Sequence, residues 1–258
     1  MKRFLGAYAV AGYLFLYLPL LVLGIFSFNE SKIAVWRGFT FEWYTGVFHN
    51  SALLEAFFNS LVIASSATIV STAAGTLAAY ALWKKRFPAL TGSLYLSLLT
   101  PEIVTGISLL AFFEWLFRYL HVRLGMHTVI LAHISFCLAY VVIVILARLR
   151  TIDGTLEEAA LDLGANEWQV FRRVTLPLLL PGIFAAALLC FTVSFDDYVI
   201  TSLVAGVNSE TLPMMIYAMA KRGVSPEVNA LSMMITGALG AFILLAGRLE
   251  RRSTERRR

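Results

Sequence analysis

The sequence predicts an all-α membrane protein with about six transmembrane helices, and two observations lead to this fold class. Of its 258 residues, 59% are hydrophobic and 14% are charged, with a mean hydropathy of +0.76, whereas a soluble domain carries about 25% charged residues. The apolar residues also form long runs without the alternation of a β-strand. We therefore expect a single membrane domain over residues 1–258.

Six apolar runs reach the roughly 20 residues that a membrane-spanning helix needs. The first is too long for the apolar part of a signal peptide, so we interpret it as a retained span. The second carries Ser71, Gly75 and Ala79 at four-residue spacing, which favours close contact with another helix. The predicted spans are residues 4–28, 53–82, 93–117, 127–147, 181–204 and 228–247.

The basic residues indicate the orientation of these spans. With both termini in the cytoplasm, fifteen of the 21 Lys and Arg residues lie on the cytoplasmic side. The net charge of +5 is then explained by topology, and it gives no reason to expect nucleic acid as a partner. Residues 248–258 form a basic cytoplasmic tail, which is either a plain stop-transfer signal or a segment in contact with anionic lipid headgroups.

A charged segment, residues 148–180, separates the fourth and fifth predicted spans; we call it the charged loop. Thr155 and Glu158 have the spacing of a capping box, which predicts that a helix begins at Thr155. Gly164 can end that helix in the left-handed conformation, and Asn166 can cap a second helix.

The two helices of the charged loop differ in character. The first is acidic, so lipid headgroups would repel it and a groove on a partner protein is favoured. The second has an apolar stripe, and prolines are expected to break it where the fifth span begins. The acidic residues are Asp153, Glu157, Glu158 and Asp162, the stripe is Trp168, Phe171, Val174 and Leu178, and the prolines are Pro177 and Pro181.

The motif in this loop resembles the "EAA…G…I-x-LP" loop of ABC-importer permease subunits. It consists of Glu158-Ala159-Ala160, Gly164 and, after nine further residues, Val174-Thr175-Leu176-Pro177, with Val174 in place of the usual isoleucine. The resemblance implies a cytoplasmic coupling helix that docks into a cleft on a separate ATPase, whose closure around ATP switches the membrane helices between inward-facing and outward-facing states. It assigns ATPase coupling to Glu158, Ala159, Ala160, Gly164, Leu176 and Pro177.

The chain has no G-x-x-x-x-G-K-[ST] phosphate-binding loop, because none of its five lysines follows a glycine. We expect no catalytic activity and no bound cofactor, with ATP and Mg on the partner ATPase. The family resemblance implies four further features: an ATPase dimer, a second permease subunit that is either identical or a different chain, an external substrate-binding protein, and a bacterial inner membrane.

We single out three of the carboxylates that fall within predicted spans, because charged residues inside a span usually line an aqueous path. Glu102 belongs to the third span, about a third to halfway across, and Asp196 and Asp197 belong to the fifth. An acidic lining favours a cationic substrate. Neighbouring residues on a helix point about 100° apart, so we favour Asp196 over Asp197. Alternatively, these carboxylates are protonated or bond to helix ends or to a partner subunit.

Two further segments, "SFDDYVITSLVAG" and "KRGVSPEVNALSMMI", resemble the permeases of spermidine/putrescine importers. The resemblance implies polyamine import, with iron, an opine or another cationic nutrient as alternatives. The similarity to polyamine permeases also implies that the second permease subunit is a different chain. A secondary transporter driven by an ion gradient would have no need of an ATPase dock. An intramembrane protease would need a partner for His133, and no metal-ligand spacing occurs among the His and Cys residues.

Overall fold

In the computed structural model, the described residues are 2–32, 35–85, 87–120, 122–223, 225–238 and 240, and most of them are helical. An isolated β-bridge joins Asn29 to Phe39. The helices are α1 Lys2–Phe26, α2 Glu42–His49, α3 Ser51–Lys84, α4 Pro88–Leu99, α5 Glu102–Leu120, α6 Met126–Leu149, α7 Thr155–Asp162, α8 Glu167–Val170, α9 Leu176–Asp196, α10 Val199–Val204, α11 Leu212–Lys221 and α12, residues 226–238.

The first, second and fourth predicted spans are single long apolar helices, namely α1, α3 and α6. The third is not, because it is divided into α4 and α5, which are bent by 110°. Pro101 stands at this break, where it lacks an amide hydrogen and disfavours a helical conformation in the residue before it.

The fifth predicted span also differs from its expected bounds. Its apolar helix begins within the charged loop and ends at Asp196. The expected final residues instead form the separate short helix α10, after an extended Asp197. Of the sixth predicted span, α12 covers the first part; the remainder and the basic tail lie largely outside the described residues.

Pro177 and Pro181 do not break the helix that leads into the fifth span, contrary to prediction. A π-helical turn, Phe171–Thr175, joins α8 to α9, and the Leu176 amide donates to the carbonyl of Phe171, five residues back. Pro177 has no amide hydrogen to donate, and with this wider register the helix continues past it as one span, Glu167–Asp196. Pro181 lies inside α9.

Residues 55–214 form one compact group. Its main apolar core joins α3, α6 and α9, and includes Val141, Ile145 and Leu179, all fully buried. The predicted small-residue contact is present: a Cβ on Gly75 would lie 2.6 Å from the Val141 Cγ1, and the Ser71 hydroxyl donates to the Ile134 carbonyl at 3.2 Å. Small residues therefore let α3 and α6 approach closely.

Residues 1–54 and 215–258 form the other group. Within it, the segment that connects α1 to α2 has several polar and aromatic contacts. Asn29 is fully buried there, and its side-chain amide donates to the Val35 carbonyl at 3.0 Å. Phe28 stacks on Phe39 and Tyr44, with both ring centroids at 5.0 Å. These contacts give the segment a defined fold.

Candidate functional site

Helix α7 of the charged loop begins at Thr155, as predicted, but by a different cap. Gly154 is the N-cap residue and supplies no side chain, so the predicted capping box of Thr155 and Glu158 is wrong. The Thr155 amide donates instead to Asp153 Oδ1 at 3.0 Å. This hydrogen bond lowers the pKa of the exposed Asp153 carboxyl, because it stabilises the ionised form.

The turn between the two short helices has the geometry that the sequence predicts. Helix α7 ends at Asp162, and Gly164 has φ +85°, which residues with a Cβ rarely adopt. Asn166 and Gln169 then form a capping box at the start of α8. The Asn166 amide donates to Gln169 Oε1 at 3.0 Å, and the Gln169 amide donates to Asn166 Oδ1 at 2.9 Å.

Glu157, one of the four acidic residues of this loop, is buried. Its side chain is 4% exposed and accepts hydrogen bonds from Lys84, at the end of α3, and from Thr175, at the end of the π-helical turn. The Lys84 ammonium also lies 5.0 Å from the centroid of a Trp83 ring. Glu157 therefore anchors α7 to two other elements, which the sequence pattern did not reveal.

The opposite side of the loop exposes apolar side chains. Leu163 is 89% exposed and Leu156 48%. The predicted stripe of α8 is split, because Trp168 is 63% exposed whereas Phe171 is buried against Tyr80, with ring centroids 4.7 Å apart. Of the remaining predicted coupling residues, Glu158, Ala159 and Pro177 are exposed, and Ala160 and Leu176 are partly buried.

A cavity of about 670 Å³ lies where the break between α4 and α5 meets the break between α9 and α10. It contains all three carboxylates predicted for a substrate pathway, and we call it the acidic cavity. No Lys or Arg is among its lining residues, which are Ser97, Leu98, Leu99, Thr100, Pro101, Glu102, Thr105, Phe136, Tyr140, Thr192, Val193, Asp196, Asp197, Tyr198, Val199 and Ile200.

The three carboxylates have different surroundings. Glu102 is the first residue of α5. The prediction that it lies partway along a continuous span is therefore wrong. Asp196 is the last residue of α9. Both are exposed, and neither forms a hydrogen bond or ion pair with any other residue that the structure describes.

Asp197 is engaged in the fold. Its side chain is 5% exposed, and its Oδ2 accepts from the Thr201 amide at 2.8 Å and from the Thr201 hydroxyl at 2.7 Å. It thereby caps the start of α10, one of the alternatives that the sequence left open. The geometry favours Asp196 over Asp197 as the residue available in the cavity.

His133 has buried partners that the sequence did not identify. It is 1% exposed, and its Nδ1 lies 2.7 Å from the Ser194 hydroxyl and its Nε2 lies 2.9 Å from the Thr201 hydroxyl. Asp197 Oδ2 is 3.4 Å from the same Nε2. A histidine within an apolar span was the available signal, but its partners are more than sixty positions away along the chain.

The described residues contain no cluster of three or more His, Cys, Asp or Glu side chains that could hold a metal ion. The two cysteines are buried, and Cys137 Sγ lies 3.7 Å from the Cys190 carbonyl oxygen.

A helical membrane chain with this loop and two interrupted helices at one cavity belongs to the class of transporter permeases. The chain is a member of the family described as "Binding-protein-dependent transport system inner membrane component", which matches residues 71–258. It is therefore a multi-pass inner-membrane permease subunit of an ABC importer.

Several relatives match nearly the whole chain, among them two permeases of polyamine transport systems. It is 39% identical to the spermidine/putrescine transport system permease protein PotC of Haemophilus influenzae, over 98% of this chain and 99% of that protein. It is 42% identical to the putrescine transport system permease protein PotI of Escherichia coli strain K12, over 95% of this chain and 90% of that protein.

Solved structures share the fold. A bacterial alginate ABC transporter, in complex with an alginate pentasaccharide-bound periplasmic protein, matches with a TM-score of 0.74 and 18% identity, over 97% of this chain and 93% of that one. The MetNI methionine ABC transporter in inward-facing conformations matches with a TM-score of 0.66 and 18% identity, over 78% of this chain and 95% of that one.

Replacing Glu157 by Ala should loosen α7. Loss of hydrogen bonds to a buried carboxylate costs about 1–3 kcal/mol, and the exposure of Lys84 places the effect toward the lower end. We expect trypsin to cleave at the exposed Arg172 and Arg173 about tenfold faster, because cleavage follows the population of the opened loop. Asp162→Ala, which removes an exposed carboxylate of the same helix, is the matched control. Equal cleavage of Glu157→Ala and the wild type would show that Glu157 does not anchor the loop.

Proposed function

We propose that this permease moves polyamines, of the spermidine and putrescine class, into the cytoplasm. The acidic cavity is the observation that carries the proposal. In the part of the chain that the structure describes, its lining contains the carboxylates of Glu102 and Asp196, which have no partner there, and no basic side chain. Alkyl amines have pKa values close to that of lysine, about 10.4, so polyamines are cationic at neutral pH. Their attraction to carboxylates is stronger in a passage of low dielectric than in bulk water.

The size of the cavity agrees with a small substrate. Sites for small molecules usually measure about 300–1,000 Å³, and this one measures about 670 Å³. Aromatic rings also line it, including Phe136 and Tyr140, and such rings can contact both the methylene groups and the ammonium groups of a polyamine. The relatives named for spermidine and putrescine match over almost their full length, which supports the same substrate class here.

The charged loop supports a proposal about partners. The exposed Leu156, Leu163 and Trp168 need a covering surface, and the acidic first helix disfavours lipid headgroups. We place the loop and both termini in the cytoplasm, where α7 docks into a cleft of an ATPase dimer that binds ATP and Mg. A second permease subunit, expected to be a different chain, forms the other half of the passage, and an external binding protein delivers the substrate.

A different cationic nutrient, such as iron or an opine, would use the same carboxylates. The negative charge of the acidic cavity attracts each of these cations. Competition of each candidate with labelled putrescine for uptake distinguishes them.

The first prediction on this site concerns charge. Glu102→Gln and Asp196→Asn each remove one negative charge from the acidic cavity with little change of shape. We expect each to raise the KM for putrescine uptake about tenfold, since one charged contact contributes about 1.5–3 kcal/mol. Glu114→Gln, an exposed carboxylate of the same helix α5 outside the cavity, should leave the KM unchanged. The charge-based proposal fails if both cavity variants behave like Glu114→Gln.

A second prediction concerns coupling. A Cβ at Gly164 would meet no atom within 4 Å, so the cost of a side chain there arises from its φ of +85°. Gly164→Val should strain the turn after α7 by about 1–2 kcal/mol and reduce uptake per ATP hydrolysed several-fold. Gly154→Val is the matched control, since Gly154 has φ −63° and is equally open. Normal coupling in Gly164→Val would refute the proposed dock.

A further inference from the structure

We propose that His133 is a positioning residue that fixes the break between α9 and α10 and thereby holds Asp196 toward the acidic cavity. The inference rests on the proposed function for its meaning in transport. Its structural basis is separate, and it consists of contacts that α6 makes with both sides of the break.

The break is costly in a membrane unless its backbone groups are paired, because the hydrocarbon offers no hydrogen-bonding partner. The first amides of α10 have no helical carbonyl to bind. The Asp197 carboxylate accepts hydrogen bonds from two of these amides: Oδ2 from Thr201 at 2.8 Å and Oδ1 from Ile200 at 3.4 Å. The break therefore depends on the placement of one buried carboxylate.

His133 spans this break. On one side its Nδ1 contacts Ser194 of α9 at 2.7 Å, and on the other its Nε2 contacts Thr201 of α10 at 2.9 Å. All three side chains are 3% exposed or less. The same helix α6 also holds the far end of α10, because the Thr128 hydroxyl donates to the Val204 carbonyl at 2.7 Å.

The Asp197 carboxylate determines which group donates and which accepts in each hydrogen bond of this network. The Thr201 hydroxyl donates to Asp197 Oδ2, so its oxygen is left to accept from the Nε2–H of His133. Nδ1 then accepts from the Ser194 hydroxyl. Ser194, His133 and Thr201 each donate one hydrogen to the next group, and Asp197 is the final acceptor. An apolar side chain at position 133 interrupts this chain on both sides of the break.

The consequence for the cavity follows from position. Asp196 is the last residue of α9 and directly precedes Asp197, the residue that caps α10. The direction of the Asp196 side chain therefore depends on where α9 ends. One additional helical residue would rotate the following side chain by about 100°. His133 does not touch the cavity space itself, as it is absent from the lining, and it acts through the neighbouring backbone.

The test uses the full transporter complex with four variants of this chain. His133→Phe keeps a ring and removes both nitrogens; Thr201→Val removes the bridging hydroxyl, and Thr201→Ser keeps it. His127→Phe is the matched control, an exposed histidine on the same helix α6. Initial rates of putrescine uptake across a range of concentrations give the KM and the maximal rate, each corrected for the amount of chain in the membrane.

We expect His133→Phe and Thr201→Val to raise the KM about tenfold, as one hydrogen bond to a charged network implies, with the maximal rate within about twofold of wild type. Thr201→Ser and His127→Phe should retain the wild-type KM. A wild-type KM in both His133→Phe and Thr201→Val overturns the proposal, and so does a fall in maximal rate alone, because that indicates a general loss of stability.

Hydrogen exchange of the amides of residues 199–201 tests the positioning role of His133 without any substrate. Loss of the network should make them exchange about tenfold faster in His133→Phe and Thr201→Val, with His127→Phe unchanged. Unchanged exchange overturns the positioning role. If the wild-type complex transports no polyamine, the proposed function falls, while faster exchange in both network variants still supports the role of His133 at the break.

Discussion

The requirement that every backbone polar group be paired inside the membrane governs this structure. Most of the chain meets it with long helices such as α3 and α6. Two helices are interrupted, and both interruptions border the acidic cavity: one at Thr100 and Pro101, the other at Asp197 and Tyr198. Irregular backbone is tolerated at membrane depth where it lines a cavity, and the broken ends bring polar groups to that place. The acidic cavity is thus a consequence of where the helices stop.

The three carboxylates of the acidic cavity therefore have different roles. Asp197 is used to cap α10 and is held by buried neighbours, whereas Glu102 and Asp196 stand at a helix start and a helix end without partners among the described residues. A carboxylate at a helix C-terminus is disfavoured by the helix dipole, so Asp196 gains from a cation. This arrangement joins the local backbone chemistry to the proposed choice of substrate.

The charged loop is connected to the membrane helices by a second polar cluster. Glu157 lies between Lys84 and Thr175, and Thr175 closes a π-helical turn that leads without interruption into α9. Helix α9 ends at Asp196, in the acidic cavity. A continuous helix of 30 residues, Glu167–Asp196, therefore runs from the loop to the cavity. We propose that displacement of α7 by a partner reaches the cavity along this helix.

Much of this could be predicted from the sequence where the signal is local. The long helices α1, α3 and α6 follow from apolar runs, and the turn at Gly164 and the cap at Asn166 follow from residues a few positions apart. The prediction failed where distant residues decide the outcome. The burial of Glu157 depends on Lys84, 73 positions away, and the partners of His133 lie on α9 and α10. Pro101 was a local signal for the divided third span, but high hydropathy on both sides concealed it.

If this permease carries cationic polyamines through the acidic cavity, cells that lack this chain and any redundant importer should not take up labelled putrescine or spermidine. Uptake should recover when the chain is restored. Measurement of this uptake before and after restoration is the first experiment to make, and uptake that does not change when the chain is removed would show that the chain is not a polyamine permease.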